Sequence, residues 1–333
     1  MSCLVIGEAL VDIIRSHDGT LSRHPGGSML NVAIGLRKLG RTVRLVTDFG
    51  LDADGALLSE YAASNGLELW LRSDTERTSP TSAARVDLHR DGTLAYDFDF
   101  TWDIQDTPSS AACKLDLEVL APQSVAFGSF STHIEPGASK VRHWIEQLRE
   151  TATVFYDPNI REALIGDLSE TRKIVDSSVA LSDIVKASLT DLRALYGQLV
   201  DPAQVARRWL ALGPALVIIT RGSDGADVYS ARGGVFNQPA PRVATVDTVG
   251  AGAAFFAALI DGISRISMDG AHNREYLRDI SDASLHTLIA YASTAAAVTV
   301  SRAGASLPTR GELIDHHELY QTSGVTGMRA RAY

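Results

Sequence analysis

Val246-Asp247-Thr248-Val249-Gly250-Ala251-Gly252-Ala253-Ala254-Phe255-Phe256 is the stretch on which the fold turns. Gly250, Ala251 and Gly252 make a small-residue turn that opens into the apolar run 253–263, enough for about three helical turns. The first turn of a helix leaves backbone N–H groups without intrahelical partners, and the helix dipole adds partial positive charge there. Glycines let an anion come close to those groups, so the turn reads as an anion hole. It reads equally as a plain joint between a strand and a buried helix, and the rest of the chain chooses between the two.

Working outward, 333 residues with 45% hydrophobic and 21% charged content describe a globular protein with room for a large core. A formal charge of −9 speaks against a nucleic-acid partner and leaves an anionic small substrate open. Cys3 and Cys113 have neither metal-like spacing nor partners for a disulfide framework, which points to a reducing, cytoplasmic setting. Residues 1–15 carry Glu8 and Asp12 and no basic start, so no signal peptide is expected. No uninterrupted apolar run reaches bilayer length, so no membrane partner is expected either.

The chain opens on a strand, 3–6, continued through Gly7 to Asp12, so Asp12 falls where a buried first strand emerges. That position suits a ligand carboxylate or a solvated strand-end acid. Pro25-Gly26-Gly27-Ser28-Met29-Leu30-Asn31-Val32-Ala33 leads into a helix over 32–39 that Gly40 ends. Gly26 and Gly27 let backbone approach a ligand, and Asn31 offers a donor and an acceptor to a hydroxyl. A strand over 42–47, a turn with Gly50, Asp52 and Gly55, and a helix over 56–64 follow. This alternation predicts an α/β fold with a parallel sheet.

The pattern changes at Ser82. Val86 and Leu88 alternate with Arg85, Asp87 and His89, and after Asp91-Gly92 the residues Leu94, Tyr96, Phe98 and Phe100 alternate with polar ones. Period-two alternation about Asp-Gly predicts a hairpin with one apolar face, a lid or the contact of a homodimer. From Ser124 the alternation returns: strands over 124–127, 153–156, 183–186 and 215–220, helices over 138–150, 170–179, 191–196 and 203–212. A hairpin joins 226–230 to 235–238, a long alanine-rich helix covers 284–298, a last helix begins near Arg310, and the tail from Ser323 is polar.

With both glycine motifs in place, the chain resembles the ribokinase-like sugar kinases of the PfkB family. Gly26-Gly27-x-x-x-Asn31-x-Ala33 matches its N-terminal signature, and Asp247-Thr248-x-Gly250-Ala251-Gly252 its C-terminal one. Asp157-Pro158-Asn159-Ile160-Arg161, Lys186-Ala187-Ser188-x-x-Asp191 and Thr220-Arg221-Gly222-x-x-Gly225 match three segments between them, and the resemblance as a whole runs from residue 4 to roughly 315. The first of these and the strand Tyr96 to Trp102 look most like the bacterial fructokinases. The resemblance implies a three-layer α/β/α domain over 1–320 with a mainly parallel central sheet. It also implies a small β lid from about 12–24 and 82–102, and a flexible tail over 323–333.

The resemblance also implies roles. Asp12, Gly26, Gly27 and Asn31 match positions that hold the sugar, and Lys186, Thr220, Gly222 and Gly225 positions around ATP. Ser188 and Asp191 match the segment that orders Mg²⁺ through water, and Arg161 an arginine near the transferred phosphate or the sugar. Asp247 and Val249 match a loop for a monovalent cation such as K⁺. One position departs. The family places an aspartate after Gly-Ala-Gly as the general base, and here Ala253 stands there. A methyl group accepts no proton, and general-base assistance contributes about 10²–10⁴ in rate. Ala253 is then either an engineered replacement or a natural loss. The expected function is an ATP-dependent, fructokinase-like sugar kinase, with ribose, 2-keto-3-deoxygluconate or a nucleoside as other substrates. A sugar- or nucleotide-binding sensor without turnover is the alternative. A dinucleotide dehydrogenase is disfavoured, since no G-x-G-x-x-G follows the first strand.

Overall fold

Runs such as Leu4-Val5-Ile6 and Leu216-Val217-Ile218-Ile219 carry no polar alternation, because both faces of their sheet are covered. The computed structural model describes residues 2–15, 19–88, 94–106, 117–164 and 166–314; the Asp91-Gly92 turn, Cys113 and the tail from Ser323 lie outside them. The large sheet contains β1 (Ser2–Ile6), β4 (Thr42–Val46), β5 (Glu68–Trp70), β8 (Ser124–Gly128) and β9 (Thr153–Asp157). It continues with β10 (Ile184–Ser188), β11 (Leu216–Thr220), β12 (Ala226–Ser230) and β13 (Val235–Gln238). Its order is β13-β12-β11-β10-β9-β8-β1-β4-β5, parallel from β5 to β11 and closed at one edge by the antiparallel hairpin β12–β13. Chain direction across the sheet reverses at β1, which places a crevice outside the C-terminal ends of β1 and β8.

Side chains alternate between two cores. Val5, Ala126, Phe155 and Ile218 pack with α1 (Ser28–Lys38), α7 (Ala251–Arg265) and α9 (Asp282–Val300). Leu4, Val125, Tyr156 and Val217 pack with α3 (Gly137–Leu148), α4 (Leu168–Ala180) and α6 (Pro202–Leu212). The result is a three-layer α/β/α body, completed by α2 (Ala53–Ser64), α5 (Leu189–Tyr196) and the short α8 (Arg274–Arg278).

A second sheet stands apart, in the order β3 (Leu21–Gly26), β2 (Leu10–Arg15), β6 (Ala83–Leu88), β7 (Leu94–Asp99). The expected hairpin is there as β6–β7, and β2 runs parallel to β6. Leu10 and Ala84 of this sheet share a small apolar cluster with Phe130 of the body, and Phe98 and Phe100 pack against it.

Four expectations change. The first strand does not carry on to Asp12: it stops at Ile6, Gly7 N donates to Val46 O at 3.1 Å, and Asp12 belongs to β2 of the second sheet. α1 starts at Ser28 and α2 at Ala53, earlier than their apolar runs, because a buried Glu8 oxygen receives Ser28 N and Asp52 Oδ1 receives Gly55 N. β5 and α8 lacked a sequence signal altogether. Finally, α9, at 19 residues, is long and apolar enough to cross a membrane by length and composition, yet Leu285, Leu288, Ile289 and Ala292 bury it in the core with α7.

Candidate active site

Gly250 adopts a left-handed conformation (φ 83°) and caps α7. Ala251 N donates to Thr248 O at 3.3 Å and Ala254 N to Gly250 O at 2.8 Å. Between them, the amides of Gly252 and Ala253 have no carbonyl partner among the described residues. Two donors at the positive end of a helix therefore face outward, as an anion hole requires.

A cation stands beside them. A side-chain carbon on Gly252 would lie 3.3 Å from Lys186 Nζ, so the missing side chain is what lets the ammonium approach the helix start. Lys186 comes from β10 and donates to Asp157 Oδ2, at the end of neighbouring β9, at 2.8 Å. Both side chains are almost fully buried, at 5% and 2% exposure. Burial pushes the Asp157 carboxyl above its ordinary range and Lys186 draws it back. Asp157 Oδ1 is buried with no hydrogen-bond partner among the described residues, although the Asn159 backbone also helps to hold the carboxyl down.

The flanking segments are held by backbone. Asp191 closes a capping box at the start of α5: its Oδ2 receives Ser188 N at 2.6 Å and Ser188 Oγ at 2.7 Å, and its N–H donates to Ser188 Oγ. Asp191 Oδ1 receives Ile160 N at 2.8 Å, so this one buried carboxylate fixes both the Asp157–Arg161 segment and α5. Thr220 ends β11, its hydroxyl donating to Ala187 O at 3.4 Å, and Gly222 and Gly225 bound the turn into β12. Asp247 receives Val249 N at 3.0 Å and Gly304 N at 2.8 Å, and these amides hold its carboxyl below the ordinary range.

At the other end, Asp12 points from β2 at the backbone of Gly26 on β3. A carbon on Gly26 would meet Asp12 Oδ2 at 2.2 Å. Gly27 has φ 109°, and a side chain there would strike Glu8 O at 2.5 Å, so only glycine makes this entry into α1. One turn on, Asn31 is 9% exposed and its Oδ1 is buried with no partner among the described residues. Burial raises Asp12, while the charges of His24 and Arg161 pull it down. Arg161 acts in the same way on Glu8, whose carboxyl burial pushes up to about 7. Asn159, with φ 38°, donates through Nδ2 to Ser129 Oγ at 3.2 Å, which bridges the ends of β9 and β8.

Of the expected residues, Asp12, Gly26, Gly27 and Asn31 form one group, at the small sheet and the start of α1, and Lys186, Gly250, Ala251, Gly252 and Ala253 a second, at the end of β10 and the start of α7. Arg161 and Asp157, four residues apart on one segment, connect them. Glu8, His24, Ser129 and Phe130 went unread in the sequence. The available signal was a buried acid between β1 and β2, and a lone Asp157 ending an apolar strand. A separate cavity, lined by Arg23, Asp52, Ala53, Asp54 and Leu57, opens on the other face of β3 and takes no part in either group.

Comparison with known proteins bears on the family and the fold. A family model described as pfkB family carbohydrate kinase matches residues 1–310. The chain is 30% identical to a fructokinase of Escherichia coli over 317 residues, 93% of this chain and 97% of that one. Among solved structures, a Xylella fastidiosa fructokinase with bound ATP superposes with TM-score 0.82 at 21% identity, over 96% of this chain and 99% of the other. The aminoimidazole riboside kinase of Salmonella enterica, complexed with aminoimidazole riboside and an ATP analog, superposes with TM-score 0.74 at 26% identity, over 95% and 99%.

Proposed function

The chain belongs to the pfkB family of carbohydrate kinases, and from that premise we propose that it moves the γ-phosphoryl group of ATP to a primary hydroxyl of a fructose-type sugar. The observation that carries this reading is the line of alternating charge that starts on the small sheet and ends at the start of α7. It runs from Asp12 through Arg161, Asp157 and Lys186 to the free amides of Gly252 and Ala253. Phosphoryl transfer needs positioning and charge stabilisation above all, and such a line supplies both.

In this reading Asp12, Gly26, Gly27 and Asn31 hold the sugar, the open Asn31 Oδ1 accepting a hydroxyl. The second sheet is the lid. Lys186, Thr220, Gly222 and Gly225 take the nucleotide, and the Gly250–Gly252 turn takes charge building on the transferred group, opposite Arg161. Mg²⁺ comes with the phosphates and supplies charge neutralisation there. Asp157 Oδ1 is an acceptor for its water shell, and Asp191 acts on that shell through the Ser188 and Ile160 amides it holds. Asp247 and Val249 bound a loop for a monovalent cation such as K⁺. Proton removal from the attacking hydroxyl has no acceptor at Ala253.

Ala253→Asp is the test. It should raise ATP-dependent turnover on fructose by about 10²–10⁴, read as ADP release, with KM for ATP nearly constant. Ribose, 2-keto-3-deoxygluconate and a nucleoside belong in the same assay and fix the substrate. The Ala253 methyl itself favours a second reading, a sensor that binds without transfer; sugar and nucleotide binding with no turnover in Ala253→Asp would establish it. The free, buried Cys3 suits a reducing cytoplasm. The far end of the small sheet, with Leu21 half exposed and Arg85 between Asp97 and Asp99, is the surface we assign to a homodimer; light scattering of the purified chain tests it.

A further inference from the structure

His24 stands directly opposite Asp12 in the β2–β3 ladder. Facing residues in an antiparallel pair put their side chains on one face, with Cβ atoms roughly 4.5–5.5 Å apart. Which face this is follows from three contacts. A carbon on Gly26, two residues beyond His24, would meet both Asp12 Oδ2 and Leu10 Cδ1, at 2.2 and 3.2 Å. Leu10 and Ala84, on the same face as Asp12, pack with Phe130 of the body. Phe100, next along from β7, stacks on Phe130 at 4.4 Å. The Asp12–His24 face therefore looks down into the crevice.

The neighbour on the opposite face behaves differently. Arg23 is spent on Asp54, at 2.9 Å. His24 is exposed, and its ring has no hydrogen-bond partner among the described residues. An imidazole can donate from one nitrogen and accept at the other, and a carboxylate accepts only. Side by side they complement two neighbouring hydroxyls, one held by each.

Resting on the sugar-kinase reading, we propose that His24 is a second sugar-binding side chain, which with Asp12 recognises a vicinal diol of the acceptor. Fructose presents such a diol, and so does a ribose ring. The pair makes diol recognition a property of the four-stranded sheet, distinct from the Asn31 contact made by the body.

The experiment is calorimetric titration of the chain and of His24→Ala and His24→Gln, with fructose, ribose and 2-keto-3-deoxygluconate, and separately with a non-hydrolysable ATP analogue. His24→Ala should weaken the best-bound sugar about 3- to 10-fold, the scale of one hydrogen bond, with the ATP analogue unaffected. His24→Gln, which keeps a donor and an acceptor, should recover most of that loss. Unchanged sugar affinity in His24→Ala overturns the proposal, and so does an equal loss in both variants, which would reduce His24 to a charge beside Asp12. Absence of binding by all three sugars overturns it together with the kinase reading. The two also part cleanly. An Ala253→Asp protein that phosphorylates sugar while His24→Ala binds it normally sinks the inference alone. Weakened binding in His24→Ala without transfer in Ala253→Asp sinks the kinase reading alone.

Discussion

Lys186 and Asp157 neutralise each other at 2.8 Å where neither meets much solvent. Breaking such a pair from one side leaves a buried charge without compensation, which costs about 3–5 kcal/mol. Lys186→Met should accordingly lower the melting temperature markedly and abolish nucleotide binding. Adding Asp157→Asn should return part of the stability and none of the binding, a coupling that a thermal double-mutant cycle reads directly. Gly252→Ala tests the approach of the ammonium to the helix. Its new carbon would sit 3.3 Å from Nζ and push the lysine aside, while alanine suits the first turn of a helix. ATP-analogue affinity should fall with the melting temperature unchanged or slightly raised; an unaltered affinity would place the phosphates elsewhere. At this scale the sequence was legible where small residues and a lone lysine stand in fixed order. It was illegible at Glu8 and His24, because which residues face each other across a ladder depends on register, and nothing local in Leu10-Val11-Asp12 or Ser22-Arg23-His24 sets it.

The connection from β1 to α1 shows what an element can hide. Gly7-Glu8-Ala9 preserves the apolar texture of β1, so the break between β1 and β2 cannot be seen in composition. It is made by Gly7 N turning to Val46 O and by Glu8 turning its carboxyl to Ser28 N at 2.8 Å. The parallel strands themselves were legible, being unbroken apolar runs, and so was the hairpin β12–β13. Burial of Glu8 has a consequence for pH. Its carboxyl keeps a proton up to about pH 7 when folded, against 4.5 ordinarily, so between those values the folded chain binds more protons than the unfolded one. Stability from this group is complete below pH 4.5 and lost as pH rises through 7, by about 3 kcal/mol at most. Glu8→Gln keeps an acceptor for Ser28 N and removes the titration. Melting curves between pH 5 and 8 should therefore fall less steeply with rising pH in Glu8→Gln than in the parent, and equal slopes would assign the proton elsewhere.

The molecule is two sheets with different means of support. The nine-stranded sheet is buried between helix layers on both faces, whereas the four-stranded sheet meets the body at its inner end, through Val11, Ile13 and Ala83 on one face and Leu10, Ala84 and a line of rings on the other. Phe98 stacks on Phe100 at 5.5 Å, and Phe100 on Phe130 at 4.4 Å. At its root, Trp102 Nε1 donates to Ser131 O at 2.9 Å, and Arg72 joins Asp48 to Asp103 at 2.7 and 3.0 Å. The polar contacts fix where the small sheet joins the body, and the half-buried Phe100 seats it on Phe130. A stacked aromatic pair contributes roughly 0.5–1.5 kcal/mol beyond its buried area. Phe100→Ala should therefore free the small sheet without unfolding the body: amide exchange in β2, β3, β6 and β7 should speed up by about tenfold, while β8, β9 and β10 keep their protection. Sugar affinity should drop in parallel, since Asp12 and His24 travel with that sheet, and ATP-analogue affinity should hold, since Lys186 and Gly252 do not. Equal loss of protection in β8 would instead mean that the two sheets open as one unit, with the rings serving as core rather than as the seat of a moving cover.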